Sequence, residues 1–145
     1  MRGRGEPNPS ETPRTALLDY PPPSTILHFM VVGSGTDRSS QLLKGVLDMC
    51  LLAIISEEPS YGYEMVNKLA GRGLDLVSEG TIYPVLSRLQ KGGLVEGYLV
   101  ESSGGPARKY YRLTPAGAQT LETWTRGWRE LAAGVENVLR GAEGG

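Results

Sequence analysis

One cysteine and one histidine in 145 residues leave little room for side-chain chemistry. Cys50 alone can form neither an intramolecular disulfide nor a zinc site built from several cysteines. His28 alone removes most Ser/His/Asp, Cys/His and multi-histidine metal arrangements. There is no phosphate loop either: the Gly104-Gly105 turn is short and no helix follows it directly. No metal or cofactor is expected, and an enzyme is disfavoured. Long apolar runs are missing too, since none approaches the ~18 residues that cross a bilayer. The expected location is therefore the cytoplasm. Excess charge is also lacking: 15 Lys and Arg oppose 16 Asp and Glu, for a net charge of −1. A chain of this balance binds DNA only if its positive charge is gathered on one face. What is abundant is glycine, with 20 residues, about twice the usual share of roughly 7%.

Residues 1–38 read differently from the rest. They hold six of the ten prolines, including Pro21-Pro22-Pro23, and show no helical or strand period. So little apolar surface does not offset the entropy of ordering, which predicts a disordered tail. An apolar patch at residues 26–32 interrupts it. Its seven residues and Pro-rich approach make a poor signal-peptide core. A second reading takes Met30 as the true start.

Beyond the tail, residues 39–56 carry a broad apolar face and predict a helix that ends before Pro59. Ser60 is the expected cap of a second helix over 61–70, closed by Gly71-Arg72-Gly73. Ser78 is the expected cap of a third over 79–91, with Ile82, Val85, Leu86 and Leu89 inward and Gly92-Gly93 after it. Residues 94–101 and 108–113 are rich in Val, Tyr and Leu and flank a turn-forming stretch at 102–107, the pattern of a β-hairpin. Thr114 and Pro115 then open a fourth helix to about residue 140. The fold class is mainly α with a small β-hairpin: a winged helix-turn-helix over 39–113, a C-terminal dimerisation helix over 114–140, and a frayed end at 141–145.

Charge is unevenly placed. Residues 80–113 hold five cations (Arg88, Lys91, Arg108, Lys109, Arg112) against Glu96 and Glu101, so this stretch is +3. It comprises the third helix and the hairpin, the two elements that face DNA in a winged helix. The third helix offers Ser78, Glu79, Thr81, Tyr83, Ser87, Arg88 and Lys91. A plain solvated helix face would look the same. The wing sharpens the case, because Arg108, Lys109 and Tyr110 follow a Gly-rich tip and are suited to phosphates. Alternation places Tyr111 inward with Leu113. Tyr61 and Tyr63 start the second helix and fall on different faces at helical spacing, one free to pack and one to reach a phosphate. A protein–protein module on the same fold is the competing function; it would present a neutral, apolar face.

Three ordered motifs carry a resemblance over residues 41–140. They are Tyr61-Gly62-Tyr63-Glu64, Gly80-Thr81-Ile82-Tyr83-Pro84-Val85-Leu86-Ser87-Arg88-Leu89, and Gly104-Gly105-Pro106-Ala107-Arg108-Lys109-Tyr110-Tyr111-Arg112-Leu113-Thr114-Pro115-Ala116-Gly117. In these the chain resembles the PadR family of bacterial transcriptional regulators. The resemblance implies a homodimeric repressor of a palindromic operator in double-stranded DNA. It also implies DNA contacts from the second-helix tyrosines, Thr81 and Tyr83, and the Arg-Lys-Tyr-Tyr wing. The short C-terminal part is similar to the small subfamily with a single dimerisation helix.

On the fourth helix Leu121, Trp124, Trp128, Leu131, Val135 and Val138 recur at gaps of three and four, a heptad stripe suited to a partner helix. Gly127 and Gly134 flank it, as points of close approach or of loose packing. Multidrug-sensing members of the similar family hold flat aromatic effectors on a tryptophan of this helix, and Trp124 sits in the similar context. The stripe is thus read both as a dimer seam and as an effector site for a small hydrophobic or aromatic ligand. Cys50, in an apolar run, reads as a small hydrophobe, or as a redox sensor if exposed.

Overall fold

The apolar run around Leu47–Ile55 becomes the centre of helix α1 (Gly35–Glu57) in the computed structural model, which describes residues 35–144. Residues 1–34 and Gly145 lie outside the described residues, and with them most of the expected tail, the 26–32 patch, Met30 and the end of the expected frayed segment. Helix α1 begins at Gly35, inside the expected tail, because residues 35–38 carry no apolar period for a pattern reading to register. The span Arg38–Glu57 is long and apolar enough to cross a membrane by length and composition. Here Leu47, Leu51, Leu52, Ile54 and Ile55 are instead buried at the heart of the core.

Ser60 does not cap a helix. Ser60 and Tyr61 form a short strand, β1 (Ser60–Tyr61), and α2 (Gly62–Gly71) starts one residue later. The backbone groups of Ser60 and Tyr61 are claimed by Tyr111 and Tyr110, fifty residues on, a pairing no local propensity registers. Helix α3 (Glu79–Lys91) matches its expected bounds, and Ile82, Val85, Leu86 and Leu89 are all buried. Ser78 occupies the N-cap position without a side-chain cap bond. Its hydroxyl lies 2.8 Å from the Thr81 hydroxyl instead.

The wing is longer than expected. Strands β2 (Val95–Ser102) and β3 (Gly105–Leu113) leave a turn of only Ser103 and Gly104. Gly104 at φ +76° adopts the left-handed backbone that closes so short a loop. The sheet order is β1-β3-β2, all antiparallel, with an irregularity between Val100 and Ser102. Tyr111 is 5% exposed and packs inward as alternation requires, with Leu113 leaning on the same core.

Helix α4 (Pro115–Glu143) is capped as expected, with the Thr114 hydroxyl accepting from the Gly117 N–H at 3.0 Å. That hydroxyl also donates to the Gly93 carbonyl at 2.6 Å, tying the start of α4 to the end of α3. Residues 141–143 continue the helix rather than fray. Gly117 presses on the Leu94 carbonyl: a Cβ there would lie 2.0 Å from that oxygen. The whole is a winged helix-turn-helix with a long C-terminal helix packed on α1.

Candidate nucleic-acid interface

The outward stripe of α3 follows from its buried one. With Ile82, Val85, Leu86 and Leu89 inward, helical spacing turns Gly80, Pro84, Ser87 and Lys91 away from the core. All four are exposed. Glu79 is exposed at the helix start, where Ser78 and Thr81 are tied to each other. Arg88 is exposed on the flank nearest α1. Its charge reaches Asp48, whose carboxyl is pushed above the usual range by burial, an effect that the Met49 N–H and Arg88 oppose.

Tyr83 does not stand alone on the outer face. Its ring lies over Gly62, so close that a Cβ there would meet the phenol oxygen at 2.7 Å. The glycine between Tyr61 and Tyr63 lets α3 lean on the start of α2. This contact joins the α3 stripe to a second cluster. Tyr61 and Tyr63 stack at 6.5 Å between centroids and 23° between planes. They do not diverge as helical spacing predicts, because Tyr61 belongs to β1 and only Tyr63 to α2. Tyr110 lies 5.2 Å from Tyr61, and Tyr98 lies 6.0 Å from Tyr110.

Cations cover this aromatic patch. The guanidinium carbon of Arg108 sits 4.7 Å above the Tyr61 ring, and that of Arg112 sits 4.9 Å above Tyr98. Arg112 also pairs with Glu96 at 3.0 Å, so part of its charge is answered within the wing. Tyr63 is 57% exposed. Tyr110 titrates above the ordinary phenol range, through burial first and then the nearby Glu64 carboxylate. Burial, with Tyr83 beside it, likewise raises Tyr111.

Two members of this surface escape a residue-by-residue reading. Tyr98 is recruited only because the hairpin register sets it opposite Tyr110. Glu64 lies beneath the cluster, and one of its carboxylate oxygens is shielded and has no hydrogen-bond partner among the described residues. Cross-strand counting from the turn would have found Tyr98, had the turn length been known; nothing local marks Glu64. Lys109 departs from its expected company, since β-strand alternation puts it on the face opposite Arg108, Tyr110 and Arg112.

At the other end of the molecule the stripe on α4 divides. Leu121 and Trp124 lean on the core. Trp128, Leu131, Val135 and Val138 are 45%, 60%, 48% and 74% exposed. Trp128 and Leu131 border an apolar groove of about 580 Å³, whose other walls are α1 (Leu42, Val46, Met49) and the loop at Leu74 and Leu76. Cys50 is half-buried in the same groove, and burial, then Asp48, push its thiol up. It thus lacks the lowered pKa of a reactive thiolate. Gly127 and Gly134 have open space around them.

The family described as the transcriptional regulator PadR-like family matches residues 51–123. A PadR-like transcriptional regulator from Bacillus cereus has a similar structure, with a TM-score of 0.62 and 50% identity over 68% of this chain and 96% of that one. The transcriptional regulator YqjI of Escherichia coli is 38% identical over 93 residues, which are 62% of this chain but only 43% of that protein. Bacillus subtilis PadR in complex with operator DNA shares the fold, with a TM-score of 0.51, 24% identity, and coverage of 55% and 46% of the two chains.

Proposed function

Since the chain belongs to the PadR-like family of transcriptional regulators, we propose that it is a cytoplasmic, sequence-specific DNA-binding repressor that acts as a homodimer and is released by a small aromatic effector. The observation that carries DNA binding is the continuous surface that Tyr83 makes by bridging α3 to the tyrosine–arginine cluster. Helix α3 enters the major groove and presents Ser87 and Lys91, with Glu79 and the tied hydroxyls of Ser78 and Thr81 at its leading end. Arg108 and the hydroxyls of Tyr61, Tyr63 and Tyr110 engage phosphates beside it. Arg88, exposed on α3, joins them. The solved operator complex of the Bacillus subtilis relative supports this reading.

Dimerisation is supported by the uncovered apolar stripe on α4, from Trp128 to Leu139, which a second α4 would bury. Two copies then meet two half-sites about one helical turn, ~34–36 Å, apart. The groove beside Trp128 suits a flat apolar ligand; Trp124, packed against the core, is the poorer platform. A ligand that prefers one spacing of the paired α3 helices shifts the population away from the DNA-fitting form.

The test is fluorescence anisotropy with the chain's own promoter duplex over a range of salt. Affinity should fall steeply as salt rises, by about 0.9 in log–log slope for each phosphate neutralised. Absent or salt-insensitive binding refutes the reading. Quenching of tryptophan emission by planar cationic or phenolic compounds tests the effector; its loss in Trp128→Phe assigns the site.

A further inference from the structure

Lys109 follows Arg108 in the chain and carries the same charge, yet its side chain goes elsewhere. Alternation sends Arg108 to the face with Tyr61 and Tyr110, and Lys109 to the face with Tyr111. Its cross-strand partner is Leu99, but the lysine stem does not stay there. It bends diagonally to Gly97, the residue paired with Tyr111. A Cβ built on Gly97 would meet the lysine Cε at 2.6 Å and Nζ at 3.4 Å. The same point lies 3.3 Å from Oε1 of Gln90, in the last turn of α3. The ammonium sits 5.5 Å from the centre of the Tyr111 ring.

Gly97 is thus a notch in the wing, filled by the lysine stem. The ammonium there is drawn to the face of the Tyr111 ring, and the notch that the lysine fills is bordered by the Gln90 amide oxygen at the end of α3. A lysine held this way lies between the wing and the last turn of the recognition helix instead of reaching away from both. We propose that Lys109 is a positioning residue, bracing the wing against the last turn of α3 through the Gly97 notch and leaving Arg108 as the wing's phosphate-facing cation. The brace fixes the angle between the element that reads the groove and the element that holds the backbone. This inference rests on the DNA-binding reading above for its consequence, though not for the brace itself.

The experiment pairs a DNA-free and a DNA-bound measurement on the full chain. Carbon-edited NMR of the free protein should show the Lys109 ε-methylene protons displaced upfield by the Tyr111 ring. Gly97→Ala, whose methyl group meets only the movable side-chain ends of the lysine and Gln90, should return them to the ordinary lysine position. Ordinary shifts in the unsubstituted protein would overturn the brace, whether or not the chain binds DNA. On operator DNA, Lys109→Met should lower affinity about threefold while leaving the salt slope unchanged, because no phosphate contact is lost. Gly97→Ala should steepen that slope by about one, since the ejected ammonium becomes free to reach a phosphate. A slope made shallower by about one in Lys109→Met would show a phosphate contact and overturn the proposal. Failure of every variant and of the unsubstituted chain to bind DNA would refute the functional reading and leave the NMR result to decide the brace.

Discussion

The two halves of α4 obey different rules. Up to Trp124 the helix is held by its own chain: Thr114 caps it, Gly117 presses on the Leu94 carbonyl, and Thr120 is buried. From Trp128 onward the same heptad stripe runs on with little to cover it. One half is specified by folding; the other is the half proposed to meet a partner. The glycines of the two halves differ in the same sense: Gly117 has no room for a methyl group, while Gly127 and Gly134 have open space. The elements proposed to face DNA resemble the first half, since Tyr83, Gly62 and the Tyr61–Tyr110 pair lock α2, α3 and the wing together within one chain. In the proposed regulator the reading heads are thus built inside the chain, and only their spacing is left to the proposed association of two copies.

The largest effect expected from breaking this contrast is Gly117→Ala. Its methyl group would collide with backbone, which cannot move aside as a side chain can, so urea unfolding should report a loss of about 3 kcal/mol. Next comes the uncovered half. Trp128→Glu with Leu131→Glu should weaken self-association about a hundredfold by sedimentation equilibrium, through two lost apolar burials. The unfolding midpoint of the separated chain should stay in place, because neither residue belongs to its core.

Smaller and opposite in sign to Gly117→Ala is the effect of alanine at Gly127 or Gly134. Each should raise helix stability in the separated chain by about 1 kcal/mol, visible as higher helicity by circular dichroism. The smallest effect belongs to Glu57, which Arg72 holds below the usual carboxylate range through a 2.8 Å contact. A lowered folded-state pKa means its contribution is present above the unfolded value and is lost as pH falls through the folded one. Both groups are exposed and screened, so Arg72→Met should only slightly reduce the acid sensitivity of the unfolding midpoint.

How much of this was legible in the sequence depends on the range of each contact. The bounds and inner face of α3, the Thr114-Pro115 start of α4 and the inward turn of Tyr111 are set by periodicity and capping within a few residues, and the structure agrees with each. Strand β1 was missed because Ser60 and Tyr61 are made extended by a distant strand. The sequence pattern predicts a six-residue turn because the positive φ of Gly104, which permits two, is invisible beside an ordinary Gly-Gly pair. Among the candidate contacts, residue types marked the tyrosines and cations, but only the folded register separates Arg108 from Lys109 and adds Tyr98.

The most direct measurement is sedimentation velocity of the chain mixed with a labelled operator duplex at low and high salt. A complex of two chains per duplex that dissociates as salt rises is expected. A complex of one chain per duplex, or free duplex at every salt concentration, would contradict the picture of paired reading heads joined by their C-terminal helices.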